Sequence, residues 1–121
     1  MKGVEINYII DNFSDFINVD DFSDLAPKSK VKGVYFIYSK DKELLYIGKS
    51  ASCIRGRLCN HLITLTPDKY NDELNKWLLE KRKHYFYFAY TIVETEFVDM
   101  VERFLIQKYK PKFNFEFNYN Q

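Results

Sequence analysis

The stretch Gly33–Ser50, GVYFIYSKDKELLYIGKS, constrains the fold of this chain more than any other. Two runs rich in β-branched and aromatic residues, 33–39 and 44–48, flank a polar turn at Lys40–Glu43. That pattern predicts a β-hairpin. With a loop of two or four residues, Ser39 faces Leu44 and Ile37 faces Tyr46. Side chains alternate across a strand, so Tyr35 then lies diagonal to Tyr46 on one face, roughly 7–8 Å away and within reach of long side chains. Val34, Phe36, Leu45 and Ile47 make the other face, which is wholly apolar and therefore the core side. A three-residue loop would break this parity.

The other elements follow from periodicity. Ile6, Ile9, Ile10, Phe13 and Ile17 recur at helical spacing, predicting an amphipathic helix over 5–18, followed by a connector punctuated by Pro27. After the hairpin, SASCIRGRLCNHLITL reads as a helix with Ser52 at its N-cap and Ile54, Leu58, Leu62 and Leu65 as its apolar stripe. Arg57 and His61, at i and i+4, stand together on one border of that stripe. Thr66-Pro67 opens a second helix whose buried face is Tyr70, Leu74, Trp77 and Leu78. Residues 84–93, HYFYFAYTIV, read as a strand. Residues 96–109 form a last helix, with Phe97, Val98, Val101, Phe104, Leu105 and Lys108 near one side, and Pro111 stops it. The expected fold is α+β: a small, mostly antiparallel three-stranded sheet flanked by helices. Residues 1–30 read as an acidic helical extension and residues 31–121 as the domain proper.

A length of 121 residues suits one domain with a real core. The 10 Tyr and 11 Phe are too many to be functional in so small a domain, so most belong to the core. No apolar run approaches a membrane span, and the N-terminal residues lack a signal-peptide h-region and cleavage site. Cys53 and Cys59, six apart on a predicted helix, suit neither a zinc knuckle nor a local disulfide. They read as free thiols in a reducing compartment, and a cytoplasmic location is expected. The formal net charge is +1, unevenly spread. Residues 1–26 carry Lys2 against Glu5, Asp11, Asp15, Asp20, Asp21 and Asp24, a net −5, which leaves +6 on residues 27–121. That balance is compatible with a nucleic-acid partner without advertising one.

Polar features then single themselves out: the tyrosine pair, Lys49 directly after Tyr-Ile-Gly, Arg57 with His61, and Glu102 at the edge of the last helix's apolar stripe. Here the sequence resembles the GIY-YIG endonuclease superfamily. GVY and YIG, ten residues apart, are similar to its two signature strands. IRGRLCNHL resembles its following helix, with the arginine at Arg57 and His61 one turn later. VERFLIQKYKPKFN resembles its last motif, with the glutamate at Glu102 and Asn114 in the ending. Within that superfamily the sequence resembles the nuclease domain of the bacterial excinuclease subunit that makes an incision, and its small stand-alone relatives. The likeness spans about residues 31–118. One departure is that eleven positions separate Tyr46 from Arg57 where the family usually has ten, so the loop KSASC carries an extra residue. Arg55, nine positions on, competes for the role; Arg57 is preferred because it shares a helix face with His61.

The resemblance implies a metal-dependent DNA endonuclease that hydrolyses a phosphodiester with a tyrosine-activated water. Its catalytic set would be Tyr35, Tyr46, Arg57, His61 and Glu102. Arg57 would meet charge growing on the phosphate with a permanently cationic fork. Glu102, the only carboxylate in the motifs, would hold one Mg²⁺ or Mn²⁺ ion, favouring a single hard cation over a two-metal clamp. A free phenol is only about 0.1% ionised at neutral pH. A tyrosinate base therefore needs nearby positive charge from Lys49, Arg57 or the metal. Tyr46 is the preferred base. Lys49, Ser50, Arg55 and Asn114 complete the set on the substrate-binding side, with Asn114 as a brace, and Gly33 and Gly48 meet backbone requirements.

The competing class is a non-catalytic or partner-dependent nucleic-acid-binding or interaction module with the same fold. A lone domain of modest charge should bind DNA weakly and salt-dependently, and a homodimer or a partner protein could supply affinity. RNA is a further substrate class that the motif admits, since nothing in it senses a 2′-hydroxyl. Residues 115–119, FEFNY, read as an extra strand, a dimer edge or stacking aromatics. The acidic first 26 residues are either a solvated helix face or a built-in competitor for phosphate.

Overall fold

A computed structural model describes residues 14, 16–28, 30–63, 72–80 and 87–114. The chain runs through β1 (Ile17–Asn18), a 3₁₀ turn (Val19–Asp21), α1 (Phe22–Leu25), β2 (Gly33–Tyr38), β3 (Leu44–Ser50), α2 (Ile54–Leu62) and α3 (Asp72–Glu80). It continues through β4 (Tyr87–Ile92), a second 3₁₀ turn (Thr95–Phe97) and α4 (Val98–Tyr109). The strands form one antiparallel sheet in the order β1-β4-β2-β3, an α+β fold. No helix among the described residues is long and apolar enough to cross a membrane.

The sheet has four strands rather than the three expected. Ile17 and Asn18, placed by periodicity at the end of a helix, pair instead with Phe88 and Tyr87 of β4. Otherwise β4 would be a bare edge with unpaired amides. The pairing is extended by Ser14, whose N–H donates to the Tyr90 carbonyl at 2.8 Å and whose hydroxyl accepts from the Tyr90 N–H at 3.0 Å. The rest of the predicted N-terminal helix, residues 5–13 and 15, lies outside the described residues, as do Leu65, Thr66, Pro67, Tyr70, residues 81–86 and residues 115–119.

Both faces of the sheet are covered, which corrects the expectation of a single core side. Tyr35, Ile37, Leu45 and Phe88 pack with Ile54 and Leu58 of α2, Leu74 of α3, and Ile17, Phe22 and Ala26 of the N-terminal segment. Val34, Phe36, Ile47 and Ala89 pack on the other side under Val98, Val101, Leu105 and Ile106 of α4. Two-sided burial explains why β2 reads as a continuous apolar run, with Val34 through Ile37 at most 1% exposed.

Hairpin parity holds at the site end and changes at the turn. Ile37 pairs with Tyr46 and Tyr35 with Gly48, but the register shifts between Ile37 and Tyr38, so Tyr38 pairs with Leu44. Leu45 is the extra residue, and the bulge turns it onto the Tyr35 face rather than the α4 face. The cause is local turn chemistry. The Ser39 hydroxyl accepts from the N–H groups of Asp41 (3.2 Å) and Glu43 (3.1 Å), while Lys42 takes a left-handed φ of 64°.

One helix start is set differently from its sequence signal, while the end of the last helix falls at Tyr109 as expected. Cys53 rather than Ser52 is the N-cap of α2, and the turn leading into it is held by the Ser50 hydroxyl, which accepts from Cys53 N–H at 2.8 Å and Ser52 N–H at 3.2 Å. This tight turn absorbs the long KSASC loop. Helix α4 is capped by Lys110, left-handed at φ 47°, with Pro111 behind it. The chain then runs beside edge strand β3, where the Phe113 N–H donates to the Leu45 carbonyl at 2.8 Å.

Candidate active site

Strand β3 organises the site because its alternating residues face two different helices. Tyr46 and Gly48 face α2, while Ile47 and Lys49 face α4. Gly48 and Lys49 therefore join two groups of polar side chains across the edge of the sheet.

On the α2 side lie the two tyrosines and the histidine. The Tyr35 hydroxyl and His61 Nε2 share a hydrogen bond of 3.2 Å. Ring centroids are 6.3 Å apart for Tyr35 and Tyr46, 5.9 Å for Tyr35 and His61, and 5.4 Å for Tyr46 and His61. Three rings thus pack in mutual contact, with Tyr35 and His61 buried and Tyr46 half-exposed. Gly48 makes the space. A Cβ there would stand 2.3 Å from Tyr35 Cζ and 2.3 Å from its hydroxyl oxygen. Gly33 serves the backbone instead, since a Cβ would come within 2.0 Å of the Thr91 carbonyl oxygen.

Arg57 is half-buried on α2, one turn before His61. Arg55 is committed elsewhere. Its guanidinium donates to the carbonyls of Ala26 and Ser23, each at 3.3 Å, and lies 5.0 Å from the Phe22 ring centroid, tying α1 to α2. Ser50 is likewise engaged in the turn into α2.

On the α4 side, Glu102 is the only buried carboxylate among the described residues, at 8% exposure. Lys49 Nζ sits 3.8 Å from Glu102 Oε1 and donates to the carboxylate of Asp99, one turn earlier on the same helix. The Lys49 bond, and then its charge, hold the Asp99 carboxyl below the usual carboxylate range. Sequence reasoning did not single out Asp99. Its signal was the i, i+3 spacing to Glu102, which puts both carboxylates on one helix face. Tyr38, at the far end of the hairpin, is a neutral phenol. Burial, and then the neighbouring Tyr109, push its pKa up to about 12.

Asn114 holds β3 in place from outside. Its amide oxygen accepts from the Ile47 N–H and its amide nitrogen donates to the Ile47 carbonyl, both at 2.8 Å, so the side chain imitates a neighbouring strand. Asn114→Ala would leave both Ile47 groups unpaired and buried. We expect a loss of about 2–5 kcal/mol of stability, since each orphaned group costs about 1–3 kcal/mol. Urea unfolding measures it, and a loss below about half a kcal/mol would mean that water replaces the amide.

Over 83 residues, 68% of this chain, the sequence is 37% identical to UvrABC system protein C of Cytophaga hutchinsonii and 32% identical to UvrABC system protein C of Methanosphaera stadtmanae. The aligned segment spans 13% of the length of each of those proteins. A family model described as the GIY-YIG catalytic domain matches residues 31–118, which hold both tyrosines, Arg57, His61, Glu102 and Asn114. The chain belongs to the GIY-YIG catalytic domain family.

Proposed function

We propose that this protein is a metal-dependent DNA endonuclease that cleaves a phosphodiester with a water activated by tyrosine. The observation that carries the reading is Glu102. A carboxylate buried beside a half-exposed ammonium costs desolvation that packing alone would not require. Its hard oxygens fit a divalent cation. Among the described residues no three His, Cys, Asp or Glu side chains gather as a metal cage. The donor set therefore suits Mg²⁺ or Mn²⁺ that keeps several waters and takes substrate phosphate oxygens as ligands. When bound, such an ion supplies Lewis-acid stabilisation of the charge on the phosphate and leaving oxygen.

The chain's own residues divide the remaining work. Tyr46 is the base, because it is the half-exposed tyrosine that a water can reach. As its tyrosinate it takes one proton of the water, becoming a neutral phenol, while the water oxygen bonds to phosphorus. The bond from phosphorus to the leaving oxygen breaks, and that oxygen is protonated from solvent. Tyr35, buried and bonded to His61, holds the Tyr46 and His61 rings in register. Arg57 binds the phosphate oxygens, a role that Arg55 cannot share while it is tied to Ser23 and Ala26. Exposed Lys28, Lys30 and Lys32 precede Gly33 at the Ser50 end of the hairpin, where they add positive charge for flanking phosphates.

The test is cleavage of end-labelled single-stranded, duplex, flapped and branched DNA, with RNA beside them, in Mg²⁺, Mn²⁺ or EDTA. We expect metal-dependent cutting of DNA, reduced about 10²–10³-fold in Arg57→Ala, the usual cost of removing one preorganised donor to transition-state charge. Binding without cutting by the folded protein in either metal would overturn the enzyme reading in favour of a non-catalytic or partner-dependent module. Cutting confined to RNA would reassign the substrate.

A further inference from the structure

We propose that Asp99 is a positioning residue that draws the Lys49 ammonium away from Glu102, so that this ammonium does not close on the carboxylate that a divalent cation would use. The inference rests on the metal-dependent reading above and goes beyond it by giving a role to a residue outside the motifs. Asp99 and Glu102 are the described carboxylates within ion-pair distance of Lys49. The lysine bonds Asp99, but stands 3.8 Å from Glu102, beyond hydrogen-bond distance. By electrostatics alone this is the less expected choice. The Asp99 side chain is 77% exposed and the Glu102 side chain 10%, so water screens the attraction to Asp99 far more. What favours Asp99 is geometry. It lies one turn before Glu102 on α4, within reach of an ammonium anchored on β3.

Without the Asp99 carboxylate, Lys49 would close onto the buried Glu102 and form a contact ion pair. A divalent cation would then have to displace an ammonium from a poorly solvated carboxylate. With Asp99 present, the ammonium is already drawn aside. Arg103, the other cation acting on Asp99, lies on the same helix and does not replace Lys49 in this arrangement. An exposed Lys–Asp pair contributes little to stability, so a purely structural role would leave few measurable traces.

The experiment is a Mn²⁺ titration of the full chain without DNA, following free Mn²⁺ by electron paramagnetic resonance. It compares the parent, Asp99→Asn, Lys49→Met and the double variant, with Glu102→Gln as the site control. Asp99→Asn should weaken Mn²⁺ binding by about fivefold or more in the presence of Lys49, in the range of coupling between neighbouring charges. In the Lys49→Met background the same change should matter less than about twofold, because nothing remains to be held aside. Lys49→Met alone should bind at least as tightly as the parent. Asp99→Glu, which keeps a carboxylate for Lys49, should restore affinity and guards against a folding defect.

Equal weakening by Asp99→Asn in both backgrounds would overturn the proposal and make Asp99 a ligand or a simple charge. No weakening in either would also overturn it. If the parent shows no Mn²⁺ binding that Glu102→Gln removes, the metal reading itself fails, and this inference with it.

Discussion

Glu102→Gln is expected to lower metal-supported cleavage by about a thousandfold or more while leaving the protein as stable as the parent, or slightly more stable. The rate loss follows from removing the carboxylate that would hold the cation, since Lewis-acid stabilisation is worth several kcal/mol in the transition state. The stability effect has an independent cause. Glu102 is the only buried carboxylate among the described residues, and an ammonium 3.8 Å away offsets only part of the cost of taking that charge out of water. Glutamine keeps the shape and removes the charge, and Lys49 retains Asp99. Activity and stability moving in opposite directions is the signature of a residue kept for function. Cleavage assays and urea unfolding measure the two sides. If the Glu102→Gln variant unfolds easily, Glu102 is a structural ion-pair member; if it cuts like the parent, Glu102 leaves the site.

Gly48→Ala should cost more than its single methyl group suggests. Gly48 takes a backbone that alanine can adopt, so the effect is one of contact alone. The new Cβ would stand 2.3 Å from both Cζ and the hydroxyl oxygen of Tyr35, and 2.8 Å from Cε1. Tyr35 has no exposed surface into which it could retreat, and its hydroxyl is bonded to His61. The ring must shift, the bond to His61 breaks, and the Tyr46–His61 packing follows. We expect a stability loss of about 1–3 kcal/mol from overpacking and a rate loss of about 10²-fold, the cost of a displacement near 1 Å in a positioned site. Gly56→Ala is the matched control. Its Cβ would meet only Cys53 Sγ, at 3.8 Å, inside a helix. That change should be neutral or stabilising by up to about 1 kcal/mol. Equal effects at the two glycines would rule out the Tyr35 contact as the cause.

What could be read from the sequence was set by short-range geometry. Alternation along the two hairpin strands, taken with an even loop, paired Ile37 with Tyr46 and put Tyr35 and Tyr46 on one face; both hold because the bulge at Leu45 offsets the different turn. Helical spacing was enough to stand Arg57 and His61 one turn apart and to place Val98, Val101 and Leu105 on the buried side of α4, although Phe104, grouped with them, is exposed. Such patterns depend only on neighbours within a turn or a strand, which the chain order fixes.

The tertiary structure decided what depends on residues far apart in the chain. It brought Lys49 to Asp99 across fifty positions and the Asn114 amide to Ile47 across sixty-seven. No periodicity carries that information, because the partner is chosen by how α4 and its trailing segment pack on β3. It also turned Ile17 and Asn18 from an apparent helix end into a fourth strand, because the unpaired edge of β4 outweighed local propensity. The Ser39 turn moved Leu45 to the opposite face, since one bulged residue reverses the alternation on which the expectation rested. The motif residues were named through the resemblance of their order and spacing to the motifs of a known family. Their division into a tyrosine–histidine cluster and a lysine–carboxylate group, joined through Gly48 and Lys49 on one edge strand, depends on helices packed against both faces of the sheet.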